Sequence, residues 1–354
     1  MAPIHTLDIE GFRAFSRLTL SALAPVNLFV GANNSGKTAM LEAIEAVVSY
    51  ASPFVLYRAS IARGETRVRR DARGDDSIGV DVRRWFHGQD LEANPCFQIT
   101  ARSTSVHRLR RSVAKYGDET AMRRFLNTER AGIDPRLQQL PLASDDYLGI
   151  GPPDDLERLT RAGLEQAEPV GFISTDRFGA RELAELWSRI VLTPNEERVL
   201  DALRLIEPRV DRIAVSIVDG ANAAAARVLL RGDRAPVPLG TLGEGVGRMF
   251  ALASHLVLTR GGFLLIDEIE TGLHWSVMPQ VWRLLVEVAR ALDVQVFATT
   301  HSRDCLDAIA ELSRSHPDLA SRVRVHRLEA GRETAATFDA SRVASNVELE
   351  IETR

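Results

Sequence analysis

Apolar residues along the chain follow two patterns that alternate with each other. Compact apolar runs, typical of strands buried on both faces, occur at 26–30, 170–174, 263–266, 294–299 and 323–328. Apolar positions at helical spacing lie between them, over 36–50, 182–206, 246–258, 275–292 and 303–314. The last part of the chain therefore has the order β-α-β-α-β, which predicts a mainly parallel sheet.

Shorter segments show the period of two that is typical of half-buried strands. They lie at 6–10 and 18–20, and 213–218 and 226–230 are further predicted strands flanking the Gly220 region. Thr193-Pro194 predicts a new helix with proline at its first position. The stretch 51–170 is dense in arginine and interrupted by Gly and Pro, as at 151–153, which predicts strands with long loops. The patterns together predict an α/β fold: a mixed sheet flanked by helices, with an antiparallel β lobe and a helical subdomain.

Composition excludes several classes of protein. The chain has 354 residues, of which 45% are hydrophobic and 26% charged, as in ordinary globular proteins. No apolar run reaches the roughly 18 residues that a membrane helix needs, and we expect a cytoplasmic protein that does not bind the membrane. The net charge of −4 excludes a uniformly basic nucleic-acid coat but leaves room for a local basic face. Cys96 and Cys305 form no CxxC pair, which argues against a disulfide framework or a zinc site.

The basic residues are almost all arginine. Of the 44 Lys and Arg residues, only Lys37 and Lys115 are lysine. Because the bias runs through every segment, each remaining lysine is informative about the chemistry at its position.

Lys37 lies in a glycine-rich motif between a predicted strand and a predicted helix. Residues 31–38 read GANNSGKT and match GxxxxGK[ST]. Glycines let successive N–H groups face a phosphate at the positive end of a helix, which assigns nucleotide binding to Asn33, Asn34, Ser35, Gly36, Lys37 and Thr38. Lys37 reaches the β- and γ-phosphates of the nucleotide and Thr38 offers its hydroxyl to Mg²⁺. The alternative is a chance turn before a helix.

Two further strands end in polar residues. Asp267 and Glu268 follow the run 263–266, so we expect Asp267 in the Mg²⁺ coordination shell and Glu268 on the attacking water. His301 follows the run 294–299, where it contacts the γ-phosphate or, in the alternative, caps the helix near Arg303 or is simply exposed.

A fourth motif, LGEGVGR at 242–248, directly precedes a predicted helix. Gly243, Glu244 and Gly245 are candidates for a second anion site at that helix N-terminus. The alternative is a loop and N-cap in which Glu244 favours the helix dipole.

The four motifs together resemble ABC-type P-loop ATPases of the RecF/SMC/OLD branch, where OLD denotes the overcoming-lysogenization-defect ATPases. The resemblance covers 1–50 and roughly 170–330. In the motif names of that family, the resemblance makes GANNSGKT the Walker A motif, LGEGVGR the signature, FLLIDE the Walker B motif, IETGLH the D-loop and TTHS the histidine switch. We divide the chain into an ATPase core, 1–180 and 235–354, with an arginine-rich insertion over about 51–165, and a helical/β subdomain at 181–234 that is a candidate dimerisation element.

The resemblance implies ATP and Mg²⁺ as ligands and a homodimer or higher oligomer. Two protomers enclose two ATP molecules, and the signature of one closes on the γ-phosphate held by the other. The chain departs from the family pattern at Gly243 and Val246, at Thr175-Asp176-Arg177, where a Q-loop glutamine is expected, and at His274, where the D-loop has aspartate. These departures predict slow turnover and leave nucleotide binding unaffected.

The biological role has two leading interpretations. OLD-like proteins often carry a Toprim nuclease module, and the roughly 50 residues after His301 are too few for one. We therefore predict an ATPase sensor or scaffold that controls a separately encoded effector, such as a Toprim-type nuclease in anti-phage defence. The alternative is a RecF-like DNA clamp for repair or chromosome maintenance. A transporter cassette is disfavoured by the sequence DEIETGLH and by the large insertion before residue 170.

The arginine clusters at 58–73 and 102–124 bear on this choice, since guanidinium groups suit DNA phosphates. The competing interpretation, which we favour, is that these arginines are solvated or paired. Candidate partners are the nearby acidic residues Glu65, Asp71, Asp75 and Asp76.

Overall fold

The computed structural model describes residues 3–49, 53–70, 76–89, 91, 95–103, 106–116, 123–129, 139–142, 147–149, 168–176, 178–218 and 223–348. Parts of the arginine-rich stretch discussed above, among them 151–153 and Arg73, lie outside these residues, as does Arg177. In the described part of the chain no helix is both long and apolar enough to cross a membrane.

In chain order the strands are β1 (Thr6–Phe12), β2 (Phe15–Leu20), β3 (Val26–Val30), β4 (Thr66–Arg70), β5 (Asp76–Asp81), β6 (Cys96–Arg102), β7 (Val106–Tyr116), β8 (Arg123–Glu129), β9 (Gln139–Pro141), β10 (Tyr147–Gly149), β11 (Val170–Ile173), β12 (Val210–Val218), β13 (Ala223–Leu230), β14 (Val237–Pro238), β15 (Phe263–Ile266), β16 (Gln295–Thr299), β17 (Val323–Arg327) and β18 (Ala336–Asp339). The helices are α1 (Lys37–Val48), α2 (Pro53–Ala62), α3 (Ala180–Ser188), α4 (Glu196–Arg204), α5 (Glu244–Leu258), α6 (Met278–Leu292), α7 (Arg303–Ser315), α8 (Pro317–Ala320) and α9 (Ala340–Glu348).

The central sheet has the strand order β11-β15-β16-β3-β17-β18. The first five strands are parallel and only β18 runs against its neighbour β17. Every residue of β3, β15 and β16 is buried. This explains their continuous apolar runs, because a parallel sheet is covered on both faces. The predicted mixed sheet flanked by helices is confirmed.

Alternate residues of these strands enter two different cores. Leu28, Leu264 and Val296 belong to a cluster that also contains buried residues of α3 to α7. Phe29 and Phe297 point to the other face, where they pack with α1 and the antiparallel strands. The period-two alternation of a strand thus places one helical layer and one β lobe on opposite sides of the sheet.

The antiparallel lobe is a sheet of order β2-β1-β6-β7-β8-β9, accompanied by a smaller sheet β10-β5-β4. The stretch 51–170 contains the strands β4 to β10, as predicted, but two details of the predicted elements were wrong. The stretch predicted to hold strands and loops begins with helix α2, whose first residue is Pro53, a position that suits proline. Helix α4 begins at Glu196 instead of Pro194, because residues from Thr193 onward form a turn in which Glu196 N–H donates to the Thr193 carbonyl at 3.1 Å.

A third sheet, β12-β13-β14, lies with α3 and α4 around the segment 181–234 that was expected to be a helical/β subdomain, with β14 just beyond its end. Leu186, Leu203 and Val228 from these elements belong to the same hydrophobic cluster as the central sheet. Its role as a dimerisation element stays a prediction.

Buried polar side chains join β3 to its neighbours. His326 on β17 is fully buried, with Nε2 donating to Asn27 Oδ1 at 3.2 Å and Nδ1 accepting from Thr337 Oγ1 at 3.0 Å. Burial, with a smaller contribution from the charge of Arg324, lowers the pKa of His326 to about 4. The ring is therefore neutral in the folded protein at neutral pH.

This histidine makes stability depend on pH. Its folded-state pKa lies below the ordinary value near 6.5, so the unfolded chain binds the proton first and stability falls as the pH drops from about 6.5 towards 4. Between pH 7 and pH 5 we expect wild type to lose about 2 kcal/mol more unfolding free energy than His326→Gln, measured by urea denaturation. Other titrating groups are common to both proteins and cancel in the difference. Parallel pH profiles for the two proteins would contradict this assignment.

Candidate nucleotide site

The phosphate loop connects β3 to α1 and contains two glycines that no other residue could replace without strain. Gly31 and Gly36 have positive φ angles of 149° and 94°. A Cβ atom at Gly31 would lie 2.3 Å from the Leu328 carbonyl oxygen, and one at Gly36 would lie 2.6 Å from the Phe15 ring. The sequence motif therefore corresponds to a tightly curled loop that ends at the N-terminus of α1.

The remaining loop residues differ in their exposure. Asn33 and Asn34 are exposed, and Asn34 adopts a left-handed conformation with φ 63°. Ser35 is buried behind them. The loop thus presents its backbone to solvent at the positive end of a helix, where an anion is favoured.

Lys37 is held across the inside of this loop. Its ammonium donates to the carbonyl oxygens of Gly31 and Ala32, each at 2.8 Å, and the residue is only 5% exposed. Burial lowers the pKa of Lys37 below its usual value, while the carboxylates of Asp267, Glu268 and Glu270 act in the opposite direction. A buried cation close to three acidic side chains marks this loop as the positive part of the site.

The predicted metal ligands lie together. Thr38 Oγ1 donates to Asp267 Oδ2 at 3.0 Å, and Asp267 is buried. A hydroxyl and a carboxylate are hard oxygen donors of the kind that Mg²⁺ prefers, so the donor set fits that ion. Thr299 completes the arrangement, because its hydroxyl donates to Asp267 Oδ1 at 2.6 Å and accepts from the Glu268 N–H at 2.8 Å.

Sequence reasoning did not single out Thr299. The feature that could have identified Thr299 is its position at the end of a buried strand that pairs with the Walker B strand. In the pairing of β15 with β16, Ile266 lies opposite Ala298. The next residues on each strand, Asp267 and Thr299, therefore meet.

Glu268 has a strained backbone with φ 46°, a region that costs a non-glycine residue roughly 1–2 kcal/mol. Its side chain is 40% exposed, and Oε1 lies 3.7 Å from Nε2 of His301. The structure thus brings together the predicted general base and the predicted switch histidine. The helix-capping alternative for His301 does not apply, because Ser302 is the N-cap of α7 and accepts from the Asp304 N–H at 3.0 Å.

Arg248, the last residue of the signature motif, supports this strained turn. Its guanidinium donates to the carbonyl oxygens of Asp267 at 2.8 Å, of Glu268 at 3.1 Å and of Ser174. The residue is buried, and burial lowers the pKa of Arg248 despite the nearby carboxylates. No local sequence pattern indicated this contact, which joins the signature helix α5 to the Walker B turn.

The signature turn itself lies on the surface. Gly243 has a φ of 95°, and both Gly243 and Glu244 are exposed at the start of α5. Gly245 packs against the D-loop: a Cβ added there would lie 2.9 Å from the Gly272 carbonyl oxygen. These residues therefore form a helix N-terminus at the surface that is packed closely against the turn at 269–274.

The phosphate loop and the signature motif line two different clefts. The first, of about 730 Å³, is lined by Lys37, Thr38 and His301 together with residues of the β lobe. The second, of about 390 Å³, is lined by Gly243, Glu244 and Arg248. The signature turn thus faces a different surface from the phosphate loop of its own chain.

His274, which stands in place of the D-loop aspartate, has a local structural role. Its Nδ1 accepts from the Ser276 N–H at 3.3 Å and caps the short 3₁₀ turn at Trp275–Val277. An aspartate would cap in the same way, which explains how the substitution is accommodated.

Several arginines of the candidate DNA-binding face are paired with carboxylates. Arg58 contacts Glu45, Arg63 Nε lies 2.7 Å from Glu42, and Arg102 contacts Asp8. The favoured partner Glu65 pairs instead with Arg13, at 2.9 Å. Asp71 and Asp75 lie outside the described residues, as do the side chains of most of the second arginine cluster.

Comparison with known proteins was made for both sequence and structure. A family model described as "AAA domain, putative AbiEii toxin, Type IV TA system" matches residues 119–306, and an "AAA ATPase domain" model matches 3–105. A stretch of 70 residues is 33% identical to an uncharacterized protein of Methanocaldococcus jannaschii, covering 20% of this chain and 61% of that relative. The match thus spans less than two thirds of the relative's length.

Solved SMC heads have a similar fold. The head domain with an extended coiled coil, bound to the C-terminal domain of ScpA from Pyrococcus furiosus, has a TM-score of 0.53 at 12% identity, over 99% of this chain and 100% of that one. An SMC head bound to the C-winged helix domain of ScpA has a TM-score of 0.52 at 11% identity, over 97% and 99%. At these identities the likeness concerns the fold alone. With an AAA-domain model matching over half of its length, the chain belongs to the AAA-domain family, and its fold is similar to that of SMC head domains.

Proposed function

We propose that this protein hydrolyses MgATP in a dimer whose two chains enclose two nucleotides, and that the closed dimer is a sensor or scaffold controlling a separately encoded effector. The effector we favour is a nuclease, such as a Toprim-type enzyme, in an anti-phage defence system. The observation that carries the proposal is the division of the motifs between two clefts. Lys37, Thr38 and His301 line one cleft, with Glu268 beside His301, whereas Gly243 and Glu244 are exposed and line the other cleft.

Each side chain of the phosphate cleft has a distinct task in this proposal. Lys37 and the loop amides hold the phosphates, and Thr38 and Asp267 hold Mg²⁺, which neutralises phosphate charge. Glu268 orients the attacking water and accepts its proton. His301, beside Glu268, contacts the γ-phosphate.

A second chain supplies what the first lacks. The exposed amides at the start of α5 form an anion site at a helix N-terminus, and the partner's phosphate cleft is the ligand surface that this site fits. Slow turnover is expected, because Thr175 and Asp176 stand where a Q-loop glutamine would sense the metal and Gly243 lacks the signature serine hydroxyl. The dimer then remains closed long enough to act as a signal.

Control of a second protein is favoured over direct DNA binding. The arginines Arg58, Arg63 and Arg102 are paired with carboxylates, which reduces their capacity for DNA phosphates. The matching family's description names a toxin of a type IV toxin–antitoxin system, and the SMC heads of similar fold were each solved with a domain of ScpA. By analogy with these heads, docking of a protein partner supports the hypothesis that this protein controls an effector.

Replacing Lys37 tests nucleotide binding. We expect Lys37→Ala to weaken ATP binding by about a hundredfold or more, since the loss of one desolvated charge contact costs about 2–5 kcal/mol. Isothermal titration calorimetry with MgATP measures the change. Lys115→Ala removes the same charge from the second lysine and should retain wild-type affinity. Tight ATP binding by Lys37→Ala would overturn the assignment of the phosphate loop.

Replacing Glu268 tests the closed dimer. Glu268→Gln keeps the shape of the side chain but removes the base, so we expect hydrolysis to fall by about a hundredfold or more while MgATP still binds. The variant should accumulate as a dimer, seen by light scattering as a doubling of mass only when MgATP is added. An equal dimer fraction with and without MgATP would contradict an ATP-driven closure.

The effector assignment needs a separate measurement. Tagged Glu268→Gln protein, isolated with MgATP from the native host, should retain a second polypeptide with nuclease activity that wild type without nucleotide releases. DNA affinity is measured in parallel over a range of salt concentrations. Tight binding with a steep salt dependence, in the absence of any nuclease partner, would replace the effector proposal by the DNA clamp.

A further inference from the structure

Glu270 follows the Walker B carboxylates and holds the segment that joins β16 to α7. Its Oε1 accepts from the His301 N–H at 2.8 Å and from the Ser302 N–H at 3.1 Å. Its Oε2 accepts from Thr300 Oγ1 at 2.8 Å. One carboxylate therefore fixes three consecutive residues, of which the middle one is the switch histidine.

Helix α7 does not need the three hydrogen bonds to Glu270 for its capping. Ser302 already caps the helix through the Asp304 N–H. A carboxylate near a helix N-terminus adds only about 0.3–1 kcal/mol at an exposed site. Glu270, on the turn that carries Glu268, instead holds the backbone amides of His301 and Ser302 and the hydroxyl of Thr300.

The imidazole of His301 depends on this backbone for its position. The ring is 36% exposed, and its distance of 3.7 Å from Glu268 is beyond a hydrogen bond. Glu268 and Glu270 lie on one tight turn, in which the Thr271 N–H donates to the Glu268 carbonyl at 3.0 Å and the Leu273 N–H to the Glu270 carbonyl at 2.9 Å. A rigid turn thus carries both the general base and the anchor of the switch loop.

We propose that Glu270 is a positioning residue for ATP hydrolysis, which acts by setting His301 at a fixed place beside Glu268. The inference rests on the proposed function, since it assigns a partner to the switch histidine of the same site. Charged hydrogen bonds to backbone amides are strong, so the carboxylate holds the loop more firmly than a neutral side chain does.

A double-mutant cycle separates positioning from general structural support. We expect Glu270→Ala to lower kcat by about a hundredfold, as a displacement near 1 Å in an active site does, while the Kd for ATP stays within about twofold of wild type. Glu270→Gln retains an acceptor for the two amides, so its loss of kcat should be about tenfold smaller than that of Glu270→Ala. In a His301→Ala background, Glu270→Ala should have little further effect on kcat, because its route of action is already gone.

Thr300→Val serves as a milder probe should Glu270→Ala fold poorly, which thermal melting would reveal. It removes only the hydroxyl that donates to Oε2, and we expect a several-fold loss of kcat that also disappears in the His301→Ala background. Multiplicative losses in the double variants would overturn the positioning role while leaving the ATPase proposal intact. Wild-type kcat in His301→Ala itself would instead overturn the role of the histidine in the proposed function.

Discussion

The parallel register of β15, β16 and β3 is the constraint on which the site depends. Val296 lies opposite both Leu264 and Val26, so the three strands end at one edge of the sheet and deliver the Walker B acids, Thr299 and the phosphate loop to one place. A slip by one residue would exchange the faces of every side chain on a strand. The parallel-stacked rings of Phe29 and Phe297, 6.3 Å apart in the β-lobe core, would then point into the helical layer, so hydrophobic packing specifies the alignment of the candidate catalytic groups.

The strain at Glu268 is maintained by a cation that is itself costly to bury. Moving a guanidinium out of water is unfavourable, but three carbonyl oxygens accept from Arg248 and the carboxylates of Asp267, Glu268 and Glu270 lie nearby. The left-handed turn directs the Glu268 side chain outward beside His301 while Asp267 stays buried beside Thr38. Two adjacent acids thereby obtain different environments, which suit the proposed roles of general base and metal ligand.

Much of the fold follows from sequence because its strands and helices have strong local patterns. The apolar runs at 26–30 and 263–266 are strands, and the loop between β3 and α1 has the conformation that its glycines imply. The residues that hold the site together were not found in this way. Arg248 bonds to a carbonyl 19 residues away, and Glu270 to an amide 31 residues away. Such pairs arise from strand register and helix packing, which no local periodicity encodes.

The use of two different cations near the site follows from the geometry of their acceptors. The Lys37 ammonium lies between two loop carbonyls at 2.8 Å each, a space suited to a compact charge with freely rotating donors. Around Arg248 the acceptors belong to three separate residues, Ser174, Asp267 and Glu268, and a planar fork with several fixed donors can reach them together. In a chain that uses arginine at 42 of its 44 Lys and Arg positions, the lysine at position 37 therefore meets a local steric requirement. An arginine there would have to displace the loop that gives the phosphate site its shape, whereas a lysine at position 248 would leave part of the strained turn without its donors.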